Sequence, residues 1–506
     1  MFSPLYGSSF RKEVPRFRVR AVSDPSDLLT ASNRSIREIP CFLSAGAQEL
    51  GMDVEEFVRR RIAEGQDVAR IREDLSHLIR EYKPGVQASY ALEFSDAVIE
   101  EVKNTRGLSG DLFSFTPAGV KMGEFGVGSR GTGDFFAHRQ IARIIGKTGA
   151  VVGVDEMDDA GVVPIPAVPG NIGYEPGTAR YIVCTVDGMH SRLSDFPFLA
   201  GFHVTRATLR DAYVMGARPV LLFSDIHVAD DGDVAKIFDY TSGITTVGEA
   251  MGVPLVSGST LRIGGDMVLG SRMTGCVGTV GIAGHLTARR STSPGDVLLM
   301  TEGSGGGTIA TAALYSGFPE VVEETINLHF LTACETLLGD PVLPRIHAMT
   351  DVTNGGLRGD AHEMAATAGC RIVIREEQVS GLVQPRVREL LENLSIDYLG
   401  VSLDALLIVA PADASEAIRQ VISSAGVRIE EIGYVEEGKP AALLEVRGEQ
   451  RDFTPRFREA AYTPVKKVVD RTARDFDEMK VLVEDAALAA IRKKEAVLKR
   501  IRPAGE

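Results

Sequence analysis

The sequence has few cysteines and lacks long apolar runs. Its five cysteines are scattered over 506 residues and form no CxxC pair, which favours reduced thiols in a cytoplasmic protein. No stretch approaches ~18 uninterrupted apolar residues, so we expect no membrane-spanning helix. The sequence therefore predicts a cytoplasmic chain without a membrane partner.

Basic residues are in the minority as well. Lys and Arg number 55 against 69 Asp and Glu, which gives a net charge of −14 at pH 7. A nucleic-acid coat needs a basic surface to neutralise phosphates, so no nucleic-acid partner is expected. The acidic balance is compatible with a protein that uses a divalent metal ion to meet an anionic ligand. Residues 1–22 are locally basic and indicate either a surface arm or a transit peptide.

Hydrophobic patterning divides the chain into four predicted segments. Residues 1–110 carry an arm and helices, including a helix at 68–82 that Asp67 can cap. Residues 111–290 and 291–450 alternate β-branched runs with helical patterns, which predicts two α/β domains. Residues 451–506 include a helical pattern at 464–502, either a docked helix with a basic face or a nucleic-acid tail. The strands predicted in the two domains lie at 180–186, 219–223, 253–256, 297–300, 371–374, 405–409 and 441–446.

A glycine-rich segment precedes a predicted helix at 135–145. Closely spaced glycines let backbone N–H groups approach an anion, and the positive end of the following helix favours phosphate. The segment lacks the Lys-Ser/Thr pair of a Walker loop and the preceding strand of a Rossmann motif. It therefore predicts either an anion-binding loop or a tight hinge. Its candidate residues are Gly126, Gly128, Ser129, Arg130, Gly131 and Gly133.

Acidic and titratable residues are the next candidates. Residues 155–159 hold four carboxylates, which indicate either a magnesium site built from hard oxygen ligands or an acidic surface turn. Asp187 ends a predicted strand, where α/β folds place ligands. His190 follows it as a proton carrier, a phosphate contact or a loop filler. Asp211, in an apolar helical pattern, requires a partner or a site, and Thr260 lies among hydroxyls that close a strand.

The last motif joins a strand to a predicted helix at 358–368. It contains Asp351, Thr353 and Asn354, followed by Gly355 and Gly356. A carboxylate, hydroxyls and two glycines at a helix start form an edge suited to an anion or a metal–phosphate group. The alternative is a simple N-cap made by Asp351 or Thr353.

Taken in order, these motifs resemble the aminoimidazole ribonucleotide (AIR) synthetase, or PurM-like, superfamily, in the manner of a divergent AIR synthase-related protein. The resemblance covers about 111–450 and depends on the order and spacing of all the motifs. It implies a two-domain PurM-like fold of the α/β (α+β) class, here with an N-terminal helical extension and a C-terminal helical tail. It also implies a homodimer that pairs through the first domain.

The resemblance further implies that ATP and Mg²⁺ bind in a cleft between the two domains. Asp158, Asp159 and Asp187 would be metal ligands, and the glycine-rich segment at 126–133 would close over the phosphates. The remaining implied contacts to the nucleotide or the cleft come from Asp211, Thr260, Asp351, Gly355 and Gly356. The implied catalytic residues are Asp187, His190 and Asp351.

The chemistry implied by the resemblance is transfer of the γ-phosphoryl group to an amide or carboxyl oxygen of a small molecule or protein. That transfer activates the group for nitrogen attack or dehydration, while metal ions offset the charge of the phosphoryl group. The alternatives are a small-molecule kinase similar to thiamine-monophosphate kinase, a selenophosphate-synthetase-like enzyme, or a non-catalytic nucleotide-binding scaffold. Three departures from the family pattern are Ser259, Arg210 and Asn354, which stand where Asp/Asn, a small or amide residue, and Asp are usual.

Overall fold

The computed structural model describes most of the chain from residue 53 onward. The described residues are 53–105, 118–119, 125, 131–145, 151–153, 156, 158, 160–164, 181–229, 232–263, 268, 271–457, 459, 462–463 and 475–501. Among them no helix is long and apolar enough to cross a membrane.

Three N-terminal helices share a small core of their own. They are α1 (Val54–Ala63), α2 (Val68–Tyr82) and α3 (Ala88–Thr105). Asp67 caps α2, because its carboxylate accepts a hydrogen bond from the backbone N–H of Ala69 at 3.2 Å. The predicted helix and its cap are therefore confirmed. Phe57, Leu75 and Ile79 lie buried between the helices.

A five-stranded mixed sheet, sheet 1, follows in the chain. Its strands are β1 (Gly161–Pro164), β2 (Tyr181–Gly188), β3 (Arg218–Val228), β4 (Leu255–Arg262) and β5 (Met273–Ala283). Their order is β1-β2-β5-β3-β4, and the β3–β4 pair is parallel whereas the others are antiparallel. β4 continues to Arg262, so the hydroxyl residues predicted to close this strand lie inside it.

Two helices cover one face of sheet 1. They are α5 (Pro197–Val214) and α6 (Ala235–Met251), preceded in the chain by α4 (Thr132–Ile145). Glycines let α5 and α6 approach closely. A Cβ at Gly201 would lie 2.1 Å from the carbonyl oxygen of Tyr240, and one at Gly243 would lie 2.2 Å from that of Phe198. The opposite face of the sheet has no described element packed over it.

Sheet 2 has seven strands. They are β6 (Asp296–Thr301), β7 (Ala348–Val352), β8 (Arg371–Arg375), β9 (Ala405–Pro411), β10 (Ile429–Glu436), β11 (Ala441–Val446) and β12 (Glu449–Asp452). Their order is β12-β11-β8-β10-β6-β9-β7, so β7 is an edge strand. The β8–β11 pair is parallel and the other pairs are antiparallel.

Helices cover both faces of sheet 2. They are α7 (Gly307–Ser316), α8 (His329–Leu338), α9 (Gly356–Ala368), α10 (Glu376–Ser380), α11 (Pro385–Asn393) and α12 (Ser415–Ser424). Alternate residues of β6 enter different cores. Leu299 packs with α8, α12 and the inner face of sheet 1, whereas Leu298 packs with α7, α9 and α11. The mixed α/β class predicted from sequence is confirmed.

The C-terminal helix α13 (Phe476–Ile501) packs against α4. Arg143 of α4 forms an ion pair with Glu484 of α13 at 2.9 Å. Met479 is buried there against Phe136. The predicted helical pattern at 464–502 is therefore a docked helix where it is described, and residues 464–474 lie outside the described residues.

Candidate active site

Two arginines of α5, the carboxylate of Asp351 on β7 and that of Asp404 just before β9 form a buried network, which we call the Arg206–Arg210 network. The Asp404 carboxylate forms short ion pairs with both guanidinium groups. Arg210 also pairs with Asp351, with 3.2 Å between Nε and Oδ2, and Arg206 donates to the carbonyl of Thr325 at 2.7 Å. Two positive charges thus face two negative charges in a site closed to water.

Burying these charges costs free energy. The burial also shifts the pKa values of neighbouring groups. Burial and the charge of Arg210 lower the pKa of Arg206 to about 9, which still leaves the guanidinium protonated at neutral pH. Burial, together with the charges of Arg206, His190 and Arg210, holds the pKa of His203 well below its ordinary value. Asp404 has a φ of 58°, in the left-handed region that side chains rarely adopt. Such backbone strain is commonly kept at functional sites.

His190 lies beside this network. A Cβ at Gly306 would lie 3.5 Å from Asp404 Oδ2, and one at the next residue, Gly307, would lie 2.5 Å from His190 Cδ2. His190 Nε2 is 3.5 Å from the hydroxyl of Thr308, which donates to Asn354 at 3.1 Å. The first turn of α7 therefore joins His190 to the motif that contains Asp351.

The glycines of that motif have a defined backbone role. Gly355 and Gly356 have φ values of 92° and 62°. A Cβ at Gly356 would also lie 2.4 Å from the carbonyl oxygen of Leu399. The N-cap of α9 is Gly355, with no side-chain cap, so the alternative that Asp351 or Thr353 caps this helix is wrong.

A second buried network, the Arg289 network, contains Asp158. The Asp158 carboxylate accepts from the backbone N–H of Arg289 at 3.0 Å. The guanidinium of Arg289 pairs with Glu363 at 2.8 Å and with Asp360 at 3.4 Å, and it donates to Thr350 at 2.6 Å. The network thus brings one guanidinium group and three carboxylates together.

The two networks meet at the edge strand β7. Thr350 belongs to the Arg289 network and Asp351 to the Arg206–Arg210 network. Because successive side chains of a strand point to opposite faces, the networks lie on opposite sides of β7. Asp158 and Asp351 are thus near the same strand but not in the same group of side chains.

The other predicted positions are spread around this centre. Asp187 is half-buried near the end of β2, Asp211 is half-buried on α5, and Thr260 is exposed on β4. Among the described residues, no three His, Cys, Asp or Glu side chains are arranged to hold a metal ion. Five predicted residues lie outside the described residues: Gly126, Gly128, Ser129, Arg130 and Asp159.

Gly131 and Gly133 permit close packing at the start of α4. A Cβ at Gly131 would lie 2.3 Å from the carbonyl oxygen of Phe457, and one at Gly133 would lie 1.9 Å from that of Phe125. Both glycines are therefore required by neighbouring backbone, whatever else this segment binds.

Sequence reasoning missed Arg206, Arg289 and Asp404 as site residues. A signal was available for the first, because Arg206 and Arg210 lie four residues apart in an apolar helical pattern. Buried cations at that spacing require carboxylates. The sequence pattern instead predicted Asp211, which is half-buried beside the buried Arg210.

Comparison with known proteins agrees with this fold. The model for the AIR synthase related protein N-terminal domain matches residues 157–282, and that for its C-terminal domain matches residues 293–444. An uncharacterized protein of Methanocaldococcus jannaschii is 49% identical over 463 residues, which cover 89% of this chain and 98% of that protein. The chain belongs to the AIR synthase-related family, and its fold is PurM-like.

Two relatives with named activities are also similar. A selenide, water dikinase of Myxococcus xanthus is 27% identical over 320 residues, which cover 58% of this chain and 86% of that enzyme. A carbamoyl dehydratase HypE of Rhodobacter capsulatus is 30% identical over 215 residues, which cover 42% of this chain and 61% of that enzyme.

Proposed function

We propose that this protein is an ATP- and Mg²⁺-dependent enzyme that phosphorylates an amide or carboxyl oxygen of a small molecule or protein group. The substrate C–O bond then breaks and the oxygen leaves as inorganic phosphate, either displaced by a nitrogen nucleophile or expelled as a C–N multiple bond forms with loss of protons, a net dehydration. The observation that carries this proposal is the meeting of His190, Asp351 and the Gly355–Gly356 turn around the first turn of α7. The named relatives support it, since a dikinase transfers phosphoryl groups and a dehydratase removes water from a carbamoyl group.

The site has the parts that phosphoryl transfer requires. The first turns of α7 and α9 present backbone N–H groups without intrahelical partners, which suit phosphate oxygens. His190 is the proton carrier nearest this turn, and its contact with Thr308 orients the ring. In this proposal Asp351, paired with Arg210, helps to shape the cleft.

Carboxylate oxygens are the hard donors that Mg²⁺ prefers, and Asp158 on the other side of β7 offers one such group. Asp158 is held in place there by the backbone N–H of Arg289. We propose Asp158, Asp159 and Asp187 as its ligands, and the ion would supply charge stabilisation to the transferring phosphoryl group. The glycine-rich segment at 126–133, with Asp211 and Thr260, completes the proposed nucleotide site.

A homodimer is part of this proposal and is supported by the open face of sheet 1. Val186, Val256 and Leu261 are 60%, 58% and 56% exposed. An exposed apolar sheet face with an unpaired edge strand is the kind of surface that proteins cover by association. Val186→Lys should shift the protein to monomer in analytical ultracentrifugation. A Val481→Lys control, at an exposed position of α13, should leave its mass unchanged.

We also propose the domain boundaries 111–290 and 291–450, flanked by the extension at 1–110 and the tail at 451–506. The two matched family domains fall inside these limits. The cytoplasmic location is supported by the four described cysteines, all of which are free.

Titration of Mg²⁺ with the ATP analogue AMPPCP tests the nucleotide site. We expect binding that requires Mg²⁺ and is weakened by His190→Gln. Phosphorus NMR of reactions with ATP and candidate acceptors then separates the chemistries. A phosphorylated product that accumulates would favour the kinase, and phosphate released with a new bond or with dehydration would support the proposal. Absence of nucleotide binding would contradict it.

A further inference from the structure

The C-terminal segment beyond β12 crosses the candidate site, although it lies outside both matched family domains. Its described residues are 453–457, 459, 462 and 463, and the second family domain ends at residue 444. Phe453, Glu459, Tyr462 and Thr463 are buried. The segment is thus packed into the protein and is not a loose tail.

Charged and apolar contacts fix this segment against sheet 2. The Glu459 carboxylate accepts from Arg358 Nη1 at 3.0 Å and from the backbone N–H of Arg456 at 2.7 Å. Arg358 lies in the first turn of α9, two residues after Gly356, and also pairs with Asp397 at 2.6 Å. A Cβ at Gly400 would lie 2.5 Å from Glu459 Oε2. A buried ion pair with this many partners leaves Glu459 little freedom.

The same segment reaches the start of α4. The Phe457 carbonyl occupies the space beside Gly131, and its ring packs edge-on against Phe476 of α13, with ring centroids 5.2 Å apart. Residues 453–457 therefore connect the start of α4 with the α9 side of the candidate site.

Tyr462 then meets His190. The two ring centroids are 6.5 Å apart and the ring planes cross at 65°, an edge-to-face arrangement. Gly307 packs directly against the His190 imidazole, since any side chain at this position would collide with the ring. The Thr308 hydroxyl lies 3.5 Å from His190 Nε2 and donates its proton to Asn354 Oδ1. The Thr308 oxygen can therefore accept a hydrogen bond from His190 Nε2. These contacts confine the imidazole to one orientation.

We propose that Tyr462 is a positioning residue for His190 and that the C-terminal segment supplies it as a fixed wall of the site. This inference rests on the proposed function, because it assigns His190 to the reacting centre. The ring of Tyr462 does the positioning, so a phenylalanine can replace it and an alanine cannot.

NMR of the full-length protein with ¹³C-labelled histidine tests the inference without any nucleotide. His190→Gln identifies the His190 signal. We expect Tyr462→Ala to shift and broaden that signal, and Tyr462→Phe to leave it near its wild-type position. The matched control is Tyr434→Ala, which removes a tyrosine ring from β10 and should leave the His190 signal unchanged. If Tyr462→Ala does not fold, Tyr462→Leu retains apolar volume without a ring and is measured in the same way.

Binding of Mg²⁺ and AMPPCP, measured on the same variants, separates this inference from the proposed function. We expect Tyr462→Ala to weaken binding or turnover by roughly tenfold to a hundredfold, since a misplacement of about 1 Å can cost on the order of a hundredfold. An unaltered His190 signal in Tyr462→Ala or Tyr462→Leu would overturn the positioning role even if nucleotide binds. A shifted signal in a protein whose wild type binds no nucleotide would uphold the positioning and contradict the proposed function.

Discussion

The two buried arginine networks on either side of β7 differ in their charge balance. In the Arg206–Arg210 network two guanidinium groups face the carboxylates of Asp351 and Asp404. In the Arg289 network one guanidinium faces three carboxylates. In the first network the two positive and two negative charges balance, and its ion pairs join α5 to β7 and to the residue before β9. The second contains more carboxylates than guanidinium groups among these contacts, and it includes Asp158, one of the Mg²⁺ ligands proposed above.

The strongest test of this difference removes the carboxylate shared by two arginines. Asp404→Ala leaves Arg206 and Arg210 buried with one partner, and breaking a buried pair in this way costs about 3–5 kcal/mol. We expect a large fall in the midpoint of chemical unfolding and no recovery with added Mg²⁺, because the unbalanced charge is positive. Recovery by Mg²⁺ would contradict the assignment of charge to this network.

The complementary variant is Arg289→Gln. It removes the cation that faces Asp158, Asp360 and Glu363, and we expect a loss of about 3 kcal/mol. Here Mg²⁺ should restore part of the thermal stability, since three carboxylates lose the guanidinium group that they share. A matched titration with sodium at equal ionic strength separates binding from screening. Equal effects of the two salts would show that no cation site forms.

We expect the folded protein to lose stability in acid because of His203, which lies near Arg206 and Arg210. The pKa of His203 is lowered in the folded state, mainly by burial and then by Arg206. The unfolded chain therefore binds a proton more readily, and stability is lost as the pH falls below about 6.5. One such group contributes a slope of at most about 1.4 kcal/mol per pH unit. His203→Phe should reduce the slope of unfolding free energy between pH 6.5 and 5.5, whereas an unchanged slope would assign the effect to other groups.

The sequence predicted those features of the fold that depend on local pattern. The α2 helix with its Asp67 cap, the core strands of sheet 2 and the glycine turn before α9 all have short-range signals. β4 has no such signal beyond residue 256, because nearly every residue of Leu255–Arg262 is exposed and no alternation marks its length. Its extent is set by pairing with β3.

The local sequence pattern could not predict which arginines pair with the predicted carboxylates. Arg210 and Asp404 are 194 residues apart, and Arg289 and Asp158 are 131 residues apart. Acidic motifs at the ends of strands indicated a site, and the order of the motifs indicated the family. Which carboxylate faces Arg210 is decided by the packing of α5 against sheet 2, and that packing has no signature at a single position.

The smallest expected effect comes from an ion pair of the same chemical type on the surface. Arg386 and Glu324 approach to 2.9 Å, as closely as Arg289 and Glu363, but the arginine side chain is 54% exposed. Water already solvates both charges, so the pair gains little over its separated state. Arg386→Gln should leave the Tm unchanged within error under conditions in which Asp404→Ala and Arg289→Gln lower it. A comparable fall in Tm would mean that the distance between the charges, and not their burial, decides how much stability is lost with an arginine. The contrast between the two buried networks would then lose its physical basis.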